Sequence, residues 1–275
     1  MSELPKNALL HAAYAANSNA FPDMEGLIRD VYVRHLKKGN NALDVGVNHG
    51  VHLMQLASAV GPDGRVIGFE AAPELVRRTN SAIALHYPEL EEIIEIHNVA
   101  VFDEPGEATF FFSKINDSGL SGLAYRAVLN NTDVEEITVP LRRLDDVLTD
   151  EFIAKLEFAK LDIEGAEYRA LMGGKRVLER QPLLTFEWDK SALEAFNYKV
   201  HDLFDLVQGA GYRIYDLFGQ TYFSAEDLGE AVTWNFLGIP GEMEPGVVLQ
   251  PAFDAVKKQF PQVASVADAT RSSIS

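Results

Sequence analysis

The chain has 275 residues, 47% of them hydrophobic, enough for one large α/β domain or two small ones around a substantial core. Its 24 basic and 41 acidic residues give a formal charge of -17, which disfavours a groove tracking nucleic-acid phosphates and suits a neutral or cationic small ligand. The lack of cysteine excludes disulfides, thiolate metal sites and thiol redox chemistry, and no window approaches the ~18 apolar residues of a membrane span.

Met24, Leu27, Ile28 and Val31 share a helical face that ends at Lys37-Lys38-Gly39, so a helical extension over residues 1–40 precedes the first strand. The N-terminus shows no basic segment followed by an apolar core, and the expectation is a soluble, cytoplasmic protein. "NALDVGV" reads as a short buried strand, followed by helical spacing at Leu53, Leu56, Ala57 and Val60 until Gly61-Pro62 breaks it. "RVIGFE" is the second strand, Pro73 opens the next helix, and "IIEIHNVAVF" is the third strand. The turn "DEPGE" and the strand "ATFFFS" then read as a hairpin folding back on its predecessor. A long polar excursion follows, in which the composition of Ser118 to Gly122 fits either a hinged lid or a solvated loop.

Alternation resumes with "EEITVPLRRL", the short helical piece "LDDVL", the strand "FAKLDI", a helix within "EGAEYRALMGG" and the strand "LLTFEW". A helix over His201 to Gln208 leads to two closing strands, "YRIYDLF" and "TWNFLGIP", whose connection is too short for a crossover helix. The order implies an α/β fold, doubly wound and mostly parallel, with one antiparallel strand near the edge and an inserted hairpin. The main domain spans residues 41–245. The segment 246–275 ends in a small, polar tail expected to be loosely ordered.

In such a fold the ligand sits at the carboxyl ends of the strands. Those ends are rich in acids: Asp44 before the Gly46-to-Gly50 turn, Glu70, then Asn98 to Ala100, Asp162 with Glu164, and Glu187 with Asp189. Glu167 and Asp202 fit helix-terminal caps. Asp44 before a glycine turn, with Glu70 ending the next strand, matches ribose-binding geometry, Glu70 accepting from the two hydroxyls. Asn48 stands where a dinucleotide loop has its second glycine and crowds the space of a pyrophosphate. S-adenosylmethionine has a ribose but no phosphate, and its cationic groups suit an acid-lined crevice. It is therefore preferred to NAD, with Asp44, Gly46, Asn48, Gly50, Glu70, Asn98, Ala100 and Asp162 as the expected cofactor-binding residues.

The segments "LDVGVNHG", "GFEAAPE", "HNVAVFDEPGEATFF", "LDDVL", "AKLDIEGAEYRALMGG" and "PLLTFEW", in this order, resemble the FkbM-type family of class I S-adenosylmethionine-dependent methyltransferases. The resemblance covers about Asn41 to Asp189 and continues more loosely to Pro240. It implies a Rossmann-like seven-stranded sheet with an antiparallel seventh strand, and methyl transfer to a hydroxyl of a sugar or natural product. Val47, His49 and "EAAPE" depart from the usual pattern and touch loop shape more than chemistry.

A hydroxyl acceptor must lose a proton, and Glu187 and Asp162 are the candidate catalytic residues, with Glu164 and His52 behind them. His49 is a loop residue near the cofactor pocket, and Trp188 is either a pocket wall or core. Mg²⁺ held by Asp162, Glu164 and Glu187 or Asp189 is the less favoured arrangement, because alternate residues of an extended chain point apart; no metal ligand is assigned. The expected partner is a small hydroxylated acceptor, with no nucleic acid and no membrane; a homo-oligomer stays open. Two other readings share these features: an NAD-dependent oxidoreductase and a non-catalytic S-adenosylmethionine-binding protein.

Overall fold

The computed structural model describes residues 5–113, 121–125, 134–188, 196 and 198–275. Strand β1 (Asn41–Val45) lies at the centre of the main sheet, buried along its whole length. It pairs in parallel with β2 (Arg65–Phe69) on one side. Beyond β2 lies β3 (Ile94–His97), also parallel. After β3 the chain leaves the main sheet for β4 (Ala100–Val101), β5 (Gly106–Ser113) and β6 (Val134–Arg142). It returns on the other side of β1 as β7 (Leu156–Leu161), with β8 (Leu183–Glu187) parallel beyond it. The strand order therefore reverses between β1 and β7, which opens a crevice at the carboxyl ends of both.

Three closing strands complete the sheet: β9 (Tyr212–Asp216), β10 (Thr221–Tyr222) and β11 (Asn235–Pro240). The order is β10-β9-β11-β8-β7-β1-β2-β3, so the sheet has eight strands rather than the expected seven. Strand β11 runs antiparallel between β8 and β9, and β10 is a second antiparallel strand at the edge. The two residues of β10 are too few to show a strand period. They are folded onto β9 by the buried Asp216 carboxylate, which accepts from the N–H groups of Phe218 (2.8 Å) and Gln220 (2.9 Å) and from the Tyr222 hydroxyl (3.2 Å).

The hairpin also differs from expectation. Strand β5 pairs antiparallel with β6 from Gly106↔Leu141 to Ser113↔Val134, not with its predecessor β3. With β4 these strands form a separate three-stranded sheet over a small core of Ala71, Leu75, Phe110, Phe112, Val139 and Leu141. The aromatic run "TFFF" alternates faces, so Phe110 and Phe112 are buried while Phe111 turns the other way.

Helices cover both faces of the main sheet. On one, Leu53, Leu56, Ala57 and Val60 of helix Val51–Val60 are buried as their spacing predicts, as are Met24, Leu27, Ile28 and Val31 of helix Met24–His35. The C-terminal segment joins this face as helices. Helix Gln250–Gln259 packs on Met24–His35 through Ala252, Phe253 and Val256. Helix Ala264–Ile274 buries Ala267 and Thr270 and packs on helix Ala8–Ala16. Ala267 and Thr270, in a stretch that reads as a tail with little to bury, mark its buried face. Among the described residues no helix is long and apolar enough to cross a membrane.

Candidate active site

The crevice at the strand ends is a cavity of about 670 Å³, within the range of small-molecule sites. Its floor is the turn after β1. Gly46 has φ 93° and a Cβ there would lie 1.9 Å from the carbonyl oxygen of Asp162, so glycine is required where the β1 and β7 ends meet. Asn48 adopts the left-handed region at φ 49°, which asparagine tolerates better than most residues. Its backbone N–H donates to Glu70 Oε2 (2.8 Å), while Glu70 Oε1 accepts from Ala72 N–H (2.8 Å). Burial pushes the Glu70 carboxyl up, against the lowering effect of these two N–H groups. The loop amide that a pyrophosphate would use is thus already taken by a carboxylate.

Beneath the turn lies a charged pair set by sheet register. Asp44 and Lys160 are direct cross-strand neighbours on β1 and β7, and both are buried. Burial raises the Asp44 carboxyl, opposed by Lys160 and His52, and neither carboxylate oxygen has a hydrogen-bond partner among the described residues. Burial alone would lower the Lys160 ammonium, but Asp162 and Asp44 outweigh it and hold it up. Lys160 Nζ donates to Asp162 Oδ2 at 2.8 Å.

Asp162 is the anionic member of a second pair. Lys160 and a hydrogen bond from Glu187 hold its carboxyl below the usual range despite burial. Burial, then the charges of Asp162, Glu164 and Glu167, push Glu187 up to about 10. Two carboxyls this close share one proton rather than ionising together. With its amide oriented to satisfy both neighbours, Asn235 bridges Glu187 to the cavity wall, its nitrogen 3.3 Å from Glu187 Oε1 and its oxygen 3.0 Å from the Trp234 indole nitrogen.

The residues expected at the cofactor divide into two groups. Gly46, Asn48, Glu70, Ala100 and Asp162 line the cavity, as do Glu187, Glu164, His49 and His52. Asp44, Gly50 and Asn98 do not. Asp44 lies under the floor, Gly50 (φ 76°) begins helix Val51–Val60, and Asn98 Nδ2 donates to the carbonyls of Glu70 (2.9 Å) and Ala71 (3.0 Å), fixing the chain after β2. Trp188 belongs to the core, and the cavity-lining tryptophan is Trp234. Of the expected lid, Ser118, Gly119 and Leu120 lie outside the described residues; Ser121 lines the cavity and its Oγ accepts from Ser113 N–H at 2.9 Å.

Two further residues, Lys160 and Glu25, line the cavity and stand outside the sequence-based expectations. Lys160 interrupts a buried strand, and that interruption was the available cue. Glu25 comes from the first turn of helix Met24–His35, where an acid reads as a dipole-stabilising surface residue. Its carboxylate lies with those of Asp162 and Glu187, all within 4.8 Å of one another. This trio replaces the grouping expected for Mg²⁺: Glu164 is not part of it, and Asp189 lies outside the described residues.

Glu167 differs from a surface cap. It is fully buried, its Oε1 accepts from Ile163 N–H (2.9 Å), and burial pushes its carboxyl up to about 7. Between its ordinary value near 4.5 and about 7 the folded state binds more protons than the unfolded state, so stability falls as pH rises through that window. Glu167→Gln keeps an oxygen for Ile163 N–H and removes the buried charge. It is expected to raise Tm by several degrees at pH 8 and by nothing at pH 4.5. Thermal unfolding at the two pH values checks this, and an equal shift at both would contradict it.

Residues 44–214 match the methyltransferase FkbM domain. The chain belongs to that family of methyltransferase domains. It is 34% identical over 89 residues to a protein-L-isoaspartate O-methyltransferase of Caenorhabditis elegans, covering 32% of this chain and 38% of that protein. It is 23% identical over 270 residues to the AMB antimetabolite synthetase AmbE of Pseudomonas aeruginosa, covering 80% of this chain and 12% of AmbE. The chain therefore spans well under half of either relative. Among solved structures it resembles a methyltransferase FkbM from Methylobacillus flagellatus at 18% identity and TM-score 0.45, over 72% of this chain and 43% of that one.

Proposed function

We propose that the chain is an S-adenosylmethionine-dependent methyltransferase that methylates a hydroxyl of a small molecule, a sugar or natural product. One observation carries the choice of cofactor: Glu70 Oε2 accepts the Asn48 N–H at 2.8 Å, in the turn where a dinucleotide needs free amides. A carboxylate there repels a pyrophosphate and can still accept ribose hydroxyls through its remaining lone pairs. The residues present suit the cofactor: a cavity of sufficient size, a buried acid ending β2, and further acids at the opposite strand ends. When bound, S-adenosylmethionine supplies a methyl carbon already activated by its sulfonium leaving group.

The chain's own residues hold the acceptor and take its proton. Glu187 keeps a proton at neutral pH, so Asp162 is the basic member of the pair. As the acceptor oxygen gains the methyl group, its proton passes to Asp162, so that both carboxyls of the pair are then protonated and Lys160, which donates to Asp162, keeps Asp44 as its cross-strand acid. No metal is assigned a role, because Lys160 already pairs with Asp162. Residues 41–245 form the catalytic unit, to which the extension 1–40 contributes Glu25. The partial similarity to an O-methyltransferase supports oxygen as the target atom.

Titration calorimetry with S-adenosylmethionine, S-adenosylhomocysteine and NAD tests the cofactor. Both sulfur compounds are expected to bind at micromolar concentrations and NAD not to bind. Binding of NAD alone would identify an oxidoreductase instead.

A further inference from the structure

Helix Met24–His35 precedes the family-matched region, which begins at residue 44, yet it places an acid in the cavity. Glu25 is held there by a chain of side chains. Its Oε2 lies 2.6 Å from His52 Nε2, and His52 Nδ1 lies 3.1 Å from the Tyr32 hydroxyl, which also lies 3.3 Å from Gln55 Oε1. Tyr32 itself is fully buried and packs on Phe158, with ring centroids 5.1 Å apart. Glu25 is thus held through one carboxylate oxygen, while its side chain remains 53% exposed. Helix Met24–His35 is fixed in turn by the Asp23 cap on Gly26 N–H (3.0 Å) and by five apolar residues on its buried face.

We propose that Glu25 is a ligand-selecting residue of the active site. Anchored by His52, its carboxylate makes the Asp162–Glu187 end of the cavity favour a sulfonium over a neutral thioether. The inference rests on the S-adenosylmethionine reading and extends it to a residue outside the matched family domain. Of the three carboxylates gathered there, Asp162 is neutralised by Lys160 and Glu187 holds a proton, so Glu25 supplies the negative charge that a cationic ligand meets. His52 is a positioning residue: it touches the carboxylate, and its own orientation is set by Tyr32.

The test compares two ligands that differ in the charge on sulfur. In the 275-residue chain, Glu25→Gln is expected to weaken S-adenosylmethionine binding three- to tenfold while leaving S-adenosylhomocysteine within twofold. His52→Ala is expected to reduce the same ratio, and His52→Gln, which restores an N–H donor, to recover part of it. Equal weakening of both ligands would mean a purely structural role and would overturn the proposal, as would unchanged affinity for both. If the unmodified chain binds neither ligand, the cofactor reading fails and this inference with it. Tm measured on each variant separates loss of fold from loss of selectivity.

Discussion

Glu70→Ala is expected to weaken S-adenosylmethionine binding at least tenfold. The buried carboxylate at the end of β2 combines two tasks: it accepts the N–H groups of Asn48 and Ala72, and it faces the cavity where a ribose would sit. A hydrogen bond to a charged group contributes about 1.5 to 3 kcal/mol, so removing the acceptor costs one to two orders of magnitude in affinity. The variant also frees two loop amides. Glu70→Gln separates these effects, because its amide oxygen can still accept one N–H while the charge on the ribose partner is gone. It is expected to lose affinity with a smaller change in Tm than Glu70→Ala. A wild-type dissociation constant for Glu70→Ala, measured by calorimetry, would contradict the assignment.

Gly46→Ala is expected to have the largest effect on the fold itself. The new methyl carbon would lie 1.9 Å from the Asp162 carbonyl oxygen, at a backbone φ of 93° that L side chains rarely adopt. Backbone strain and forced separation of the β1 and β7 ends together amount to about 2 to 5 kcal/mol. That corresponds to a fall in Tm of roughly 10 °C, accompanied by loss of cofactor binding. Gly106→Ala is the control, since a Cβ at the start of β5 meets nothing within 4 Å and its Tm should stay near wild type. A Gly46→Ala chain with wild-type Tm and affinity would show that the two strand ends do not meet at this glycine as described.

The parts of the molecule legible in the sequence were those set by local rules. The short run "NALDV", with Ala42, Leu43 and Val45 leading to a glycine turn, forms the central strand; Pro73 opens a helix; Met24, Leu27, Ile28 and Val31 mark a buried face. The partner of β5 was not legible, because "VAVF" and "EEITVPL" are both plausible strands and only the full sheet decides between them. The last helix escaped for a different reason: Ala267 and Thr270 bury little surface each, and their stripe gains meaning only against helix Ala8–Ala16.

The site divides in the same way. Glu70 and Asn48 could be read from their spacing around the turn, although the hydrogen bond between them could not. The crowding expected of the Asn48 side chain proves to be a backbone amide already engaged by Glu70. Lys160 became meaningful only once register set it opposite Asp44. Glu25 lies 27 residues before His52, in a helix that composition alone presents as a surface element.

A crystal structure of the chain with S-adenosylhomocysteine tests the central claim most directly. The ribose hydroxyls should lie within hydrogen-bond distance of the Glu70 carboxylate, with the sulfur directed toward Asp162, Glu187 and Glu25. A nucleoside bound elsewhere in the cavity, with Glu70 contacting only Asn48 and Ala72, would contradict it.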